Sequence, residues 1–166
     1  MRIALIAAIG ADHAIAIGDN LPWRLQDDTD DFHHKIRGHV VLMGRKTYET
    51  IGHPLADSPT IVITRDRDYQ SDAIVFHTVD EGIRHAEELG EGMLFILGGG
   101  QIYTETLPLA TDLYLTHVDA SFANATAFFP RVEWTRWQEV AAETLHFSPS
   151  ERNEYAFTIK HYILKN

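Results

Sequence analysis

The chain has 166 residues, 45% of them hydrophobic, which suffices for one compact domain (residues 1–166) with its own core and leaves no room for a second. A formal charge of -10 argues against nucleic acid as a partner, because phosphate neutralisation needs a basic face, and zero cysteines exclude disulfides, thiolate metal sites and a cysteine nucleophile. No apolar run approaches the roughly 20 residues that span a bilayer, and loop chemistry rather than a signal cleavage pattern follows the first apolar run, so the expectation is a cytoplasmic protein with no membrane partner.

The first element is a strand over residues 3–9, apolar on consecutive positions. A loop over 10–20 follows, with Gly18, Asp19 and Asn20 suited to mobile turns, and Leu21-Pro22-Trp23 closes it, so that it can act as a lid. Helical patterns cover 28–37, 46–51, 80–89 and 100–107, and they sit among further apolar, β-branched runs at 40–43, 61–63, 74–76, 94–97 and 113–115. Runs apolar on every position mark strands buried on both faces, and their alternation with helices predicts an α/β fold with a mainly parallel sheet. Two alternating stretches, 137–147 and 155–164, flank a turn at 148–153 and predict a C-terminal antiparallel hairpin.

Helix geometry ranks the four aspartates of the first helix. At about 100° per residue, Leu25, Asp28, Phe32 and Ile36 share one apolar stripe, whereas Asp27 and Asp30 point away and Asp31 lies at the edge. Asp27 or Asp28 capping the helix is one reading. The other is that Asp28, desolvated among apolar neighbours, holds an amidine-like ligand or manages a proton. Trp23 likewise reads either as core or as part of the lid.

Gly98-Gly99-Gly100 falls between a strand and a helix, where backbone amides suit an anion, although Tyr103 stands where a dinucleotide fingerprint needs glycine; a tight turn with no ligand is the alternative. Met43-Gly44-Arg45-Lys46-Thr47 and Thr64-Arg65 put cations and hydroxyls at two more strand ends of an acidic protein. Ligands of open α/β sheets bind at such ends, and these residues favour a dinucleotide with an extra phosphate over solvated surface charge. Adjacent His33 and His34 diverge on a helix and give no metal site.

In order, the chain carries Leu21-Pro22-Trp23 with Asp28 and Phe32, then Met43-Gly44-Arg45-Lys46-Thr47-Tyr48-Glu49-Thr50-Ile51-Gly52, Gly98-Gly99-Gly100-Gln101-Ile102-Tyr103, Leu113-Tyr114-Leu115-Thr116-His117 and Phe129-Pro130. This series resembles the bacterial type of the dihydrofolate reductase family over essentially the whole chain. The resemblance implies an eight-stranded, mainly parallel sheet flanked by helices, NADPH as cofactor, dihydrofolate as the small-molecule substrate, a monomer, and hydride transfer to the pterin C6 with protonation at N5, giving tetrahydrofolate for one-carbon metabolism. It also implies an antifolate target. By the same resemblance Asp28 holds the pterin and favours N5 protonation, and Thr116 supports that acid. Ile6, Ala7, Phe32, Ile51 and Leu55 line the substrate pocket, and Leu21 and Trp23 belong to the catalytic lid. The cofactor is met by Ala8, Ile15, Gly44, Arg45, Lys46, Thr47, Thr64 and Arg65, and by Leu97, Gly98, Gly99, Gly100, Gln101, Ile102 and Tyr103, with a cis peptide joining Gly98 and Gly99.

Departures from the family pattern carry expectations of their own. Ser58 stands where the family usually has an arginine for the folate tail carboxylate, which predicts weak discrimination between folates and tail-less pterins. Ala125-Thr126-Ala127 lacks the acid that tethers the lid, Ala16 replaces a glycine, and Gln101 replaces a frequent arginine. Rival readings are an NADPH-dependent reductase of another pterin or of a flavin-precursor pyrimidine, and a non-catalytic pteridine-binding protein. Trp23, Asp28 and Phe32 together argue against the pyrimidine reductase, and Asp28 with Thr116 against the binding protein.

Overall fold

The apolar runs become the middle of a single sheet in a computed structural model that describes residues 1–166. In chain order the first half holds β1 (Arg2–Ile9), β2 (Ala14–Ala16), α1 (Gln26–Ile36), β3 (Val40–Gly44), α2 (Arg45–Ile51), β4 (Thr60–Ile63) and β5 (Ile74–Phe76). The second half holds α3 (Val79–Glu88), β6 (Met93–Ile96), α4 (Gly100–Thr106), β7 (Asp112–Val118), β8 (Ala127–Phe128), β9 (Trp137–Glu139), β10 (Leu145–Phe147) and β11 (Phe157–Leu164).

The strand order is β10-β11-β7-β1-β6-β3-β4-β5. From β7 to β5 every pairing is parallel, whereas β11 runs antiparallel to β7, as the change of pattern near the C-terminus predicts. The predicted strand over 137–147 is interrupted. Between the pairs Glu139↔Tyr162 and Leu145↔Ile159, five residues pass on one side against two on the other. The surplus forms a 3-10 turn at Ala141–Glu143, which brings Glu143 Oε2 within 2.7 Å of His161 Nδ1. β9 and β10 thus share one edge position beside β11, and the sheet is eight strands wide.

Alternation along β1 divides the core. Leu5 and Ile9 join Leu42, Ile61, Leu94, Ile96, Leu113 and Leu115 on the face that carries Val79, Ala86 and Ile102. Ala4 and Ile6 join Val41, Met43, Val62 and Phe95 on the face that carries Ile36 and Tyr48. Each fully buried large aliphatic side chain contributes about 1.5–3 kcal/mol, so both layers fix the central strands and leave their carboxyl ends as a rigid platform. The lid forms a separate ribbon: β2 pairs with β8 rather than with the main sheet.

Candidate active site

α1 crosses the sheet with the predicted stripe inward. Leu25 and Ile36 are buried, Phe32 and Asp28 are half-buried beside them, and Asp30 faces solvent. Asp28 meets Thr116, which β7 places beside Ala8 of β1, and Thr116 Oγ1 donates to Asp28 Oδ1 at 2.5 Å. Burial pushes the Asp28 carboxyl up to about 6; Asp31 pushes the same way, while the Thr116 hydrogen bond and Lys35 pull against it. Neither aspartate caps α1, which has no side-chain cap of its own. Asp27 instead turns outward to Asn153 and Arg152, whose hydrogen bonds hold its carboxyl below the ordinary range.

Around this acid Ile6, Phe32, Ile51 and Leu55 gather in one apolar cluster, the last three only partly covered, while Ala7 packs on the opposite face. Trp23 is 7% exposed and sits with Leu25, Val118, Phe157 and Ile159, so it serves as core at the lid's base. Leu21, in contrast, is 62% exposed.

Across the strand ends lies a cleft of about 770 Å³, whose walls include Gly44, Arg45, Lys46, Thr47, Thr64, Arg65, Gly99, Gly100, Gln101 and Ile102. Arg45 is held by Glu49 at 3.2 Å and Asp66 at 3.8 Å and lies over the Tyr69 ring, whereas Lys46 and Arg65 make no ion pair. Leu97, Gly98 and Tyr103 do not line the cleft: Leu97 and Tyr103 are buried in the core on opposite faces of the sheet, and Tyr103 spends its hydroxyl on the Ile6 carbonyl at 2.7 Å. Burial raises the Tyr103 phenol well above its usual range. Gly98 and Gly99 are joined by a cis peptide, and the Gly98 carbonyl accepts from the Gly44 amide at 2.8 Å, tying the two glycine turns together. Ile15 reaches the same junction from the lid strand, 3.9 Å from where a Gly100 side chain would begin.

The sequence reading passed over Asp66, His77, Thr78, Val79 and Asp80, which also line the cleft. His77 Nδ1 lies 2.8 Å from the Thr64 carbonyl. The rule that ligands gather at parallel strand ends, applied to β5 as it was to β4, would have found His77 and Thr78.

The family model for dihydrofolate reductase matches residues 2–164. The chain belongs to the dihydrofolate reductase family. It is 36% identical over 165 residues to a dihydrofolate reductase of Neisseria meningitidis, covering 98% of each chain, and 36% identical over 157 residues to the type 3 dihydrofolate reductase of Salmonella typhimurium, covering 94% of each. Its fold matches that of dihydrofolate reductase from Enterococcus faecalis, solved with NADP(H) and RAB-propyl, with a TM-score of 0.90, 32% identity and coverage of 99% and 97%.

Against other dihydrofolate reductases the departures now have a local account. Thr126 Oγ1 accepts from the Gly18 amide at 2.8 Å, and the Thr126 amide donates to the Ala16 carbonyl at 2.8 Å, so a hydroxyl fastens the lid ribbon. Ser58 is buried and donates to the Ile36 carbonyl at 2.9 Å, closing the end of α1 with no charge.

Proposed function

We propose that this chain reduces 7,8-dihydrofolate to tetrahydrofolate with NADPH, and the observation that carries the reading is the Asp28–Thr116 pair together with a cleft at the strand ends that presents Arg45, Lys46 and Arg65.

The residues of the cleft fit the cofactor. Its volume suits a large ligand, and Lys46 and Arg65 carry charges with no internal partner. A Cβ on Gly99 would lie 3.4 Å from Thr47 Oγ1, so glycine keeps the gap between α2 and α4 open. Arg65 and Arg45 would hold a 2′-phosphate, Lys46, Thr47 and Thr64 the remaining phosphates, and Gly98, Gly99, Leu97 and Ile102 the nicotinamide end. When bound, NADPH supplies the hydride that reaches C6 of the pterin.

The chain's own part is alignment and proton management. Asp28 accepts from the pterin N3 and 2-amino groups, and Thr116 fixes the carboxyl oxygen that it touches. A carboxyl that titrates near 6 is poised to hold a proton and pass it toward N5 through water. Phe32, Ile51 and Leu55 grip the pterin and aminobenzoyl rings, and the lid bearing Leu21 excludes water. A flavin-precursor reductase would have no use for the acid on α1, and the Thr126 fastening leaves a working lid where a binding protein would need none. No helix is long and apolar enough to cross a membrane, and we place the chain in the cytoplasm as a monomer.

Following NADPH absorbance with dihydrofolate tests the reading. Stoichiometric tetrahydrofolate formation that falls at least about a hundredfold in Asp28→Asn supports it. Tight NADPH binding with no turnover would exclude it.

A further inference from the structure

The amides that open α1 are capped from the far end of the chain. Leu25, the residue before the helix, offers no side-chain acceptor. The Gln26 amide donates to the Arg152 carbonyl at 2.9 Å, and the Asp27 amide donates to Asn153 Oδ1 at 3.1 Å. Asn153 returns the contact: its Nδ2 donates to Asp27 Oδ2 at 2.7 Å. Arg152 adds Nε to Asp27 Oδ1 at 2.9 Å, and Leu25 and Asn153 form an antiparallel bridge. Asn153 is 2% exposed, so an amide without these partners would be a buried, unsatisfied group. Asp28 follows Asp27 directly and lies in the first turn, the part of a helix that frays when its amides lose their acceptors.

We infer that Asn153 is a positioning residue for Asp28: its reciprocal pair with Asp27 caps the first turn of α1 from across the fold and so holds the acid against Thr116. The inference rests on the role given to Asp28 above. Thr116 fixes one oxygen of the acid from the sheet, and Asn153 fixes the backbone that carries it, so loss of the second anchor lets the carboxyl swing toward water. The charged groups that face Asp28 are Asp31 and Lys35 of α1 itself.

The test compares Asn153→Ser, Asn153→Ala and Asn153→Asp with the double variant Asp27→Asn/Asn153→Asp in the full chain. Asn153→Asp alone sets two carboxylates against each other. The double variant exchanges donor and acceptor and restores both hydrogen bonds. Carbon-detected NMR follows the Asp28 carboxyl, and steady-state assays follow kcat against pH with dihydrofolate and NADPH. Burial is expected to push the wild-type carboxyl up to about 6. In Asn153→Ala and Asn153→Ser it is expected to fall to about 5 or below, with kcat at neutral pH down about tenfold and KM for NADPH within about twofold; in Asn153→Asp the added carboxylate pushes it up instead, and the double variant returns both readouts to the wild-type values. Single variants that lower Tm but leave the Asp28 titration unmoved would overturn the inference, as would a double variant that regains Tm alone. A wild type without turnover would refute the dihydrofolate reading, and the carboxyl titration would still decide the positioning.

Discussion

Thr126 Oγ1 receives the Gly18 amide at 2.8 Å, so the lid loop after β2 is fastened to the residue before β8 by a group that does not ionise. Thr126→Val keeps the shape and removes the acceptor. A neutral hydrogen bond contributes about 1 kcal/mol, so the lid should open about fivefold more often. Hydrogen exchange at the Gly18 amide measures this directly, and unchanged exchange would mean that the lid is held elsewhere.

Asp28 should depress stability above the range in which it titrates. Its carboxyl is raised by burial to about 6 from an ordinary value of 3.8, so between those values the folded chain binds more protons than the unfolded one. Its contribution therefore falls as pH rises from about 4 to about 6 and stays low beyond. Asn at this position still accepts from Thr116 and has no charge to bury. Asp28→Asn is thus expected to match the wild type near pH 4 and to exceed it by about 1–3 kcal/mol at pH 7.5, a range that allows for the half-exposed site. Urea melts at the two pH values give the comparison, and a variant less stable at pH 7.5 would refute it.

The two arginines of the cofactor cleft should behave differently. Arg65 is exposed and unpaired, while Arg45 already answers Glu49 and Asp66. Arg65→Gln should raise KM for NADPH about tenfold and leave KM for NADH within about twofold, because only NADPH carries the extra phosphate. Asp66→Asn frees Arg45 and should lower KM for NADPH, most visibly at low salt. A loss shared equally by both cofactors would place Arg65 away from the 2′-phosphate.

The sheet and its acid were legible because both depend on short-range pattern. Residues 74–76 were read as the strand they form, and the Leu25-Asp28-Phe32-Ile36 stripe faces the core, since burial on one face imposes a period that a sequence displays. The break between β9 and β10 was invisible because alternation runs through it; the bulge is set by the pairing of Glu143 with His161 on the neighbouring strand. The cap on Asp27 was hidden for the same reason, its partner Asn153 being brought near only by the fold. The β2–β8 ribbon escaped as well, since three residues against two leave no period to read.

Ser58 should make the enzyme tolerant of its substrate's tail. Its hydroxyl is spent on Ile36, and no guanidinium stands at that position to grip a carboxylate. A charge-assisted contact of that kind contributes about 1.5–3 kcal/mol, so the preference in kcat/KM for dihydrofolate over a tail-less dihydropterin should be about thirtyfold smaller than in a relative that keeps the arginine. Equal preferences in the two enzymes would show that another cation has taken over the tail.

Gly98 should tolerate no side chain, for two separable reasons. Its φ is 100°, a conformation that costs an L residue about 1–3 kcal/mol. An added Cβ would also lie 2.6 Å from Tyr103 Cε2, and that ring cannot yield: its hydroxyl is tied to the Ile6 carbonyl at 2.7 Å and its face meets Phe129 at 4.9 Å. Gly98→Ala is therefore expected to cost at least about 3 kcal/mol in urea unfolding and to lose NADPH binding, because the displaced turn carries the Gly44 contact with it. Tyr103→Ala in the same chain removes the obstructing ring and leaves the backbone penalty. On the Tyr103→Ala background the added cost of Gly98→Ala should shrink to the backbone part, about 1–3 kcal/mol. An undiminished cost there would mean that the backbone conformation, and not the tyrosine ring, is what reserves this position for glycine.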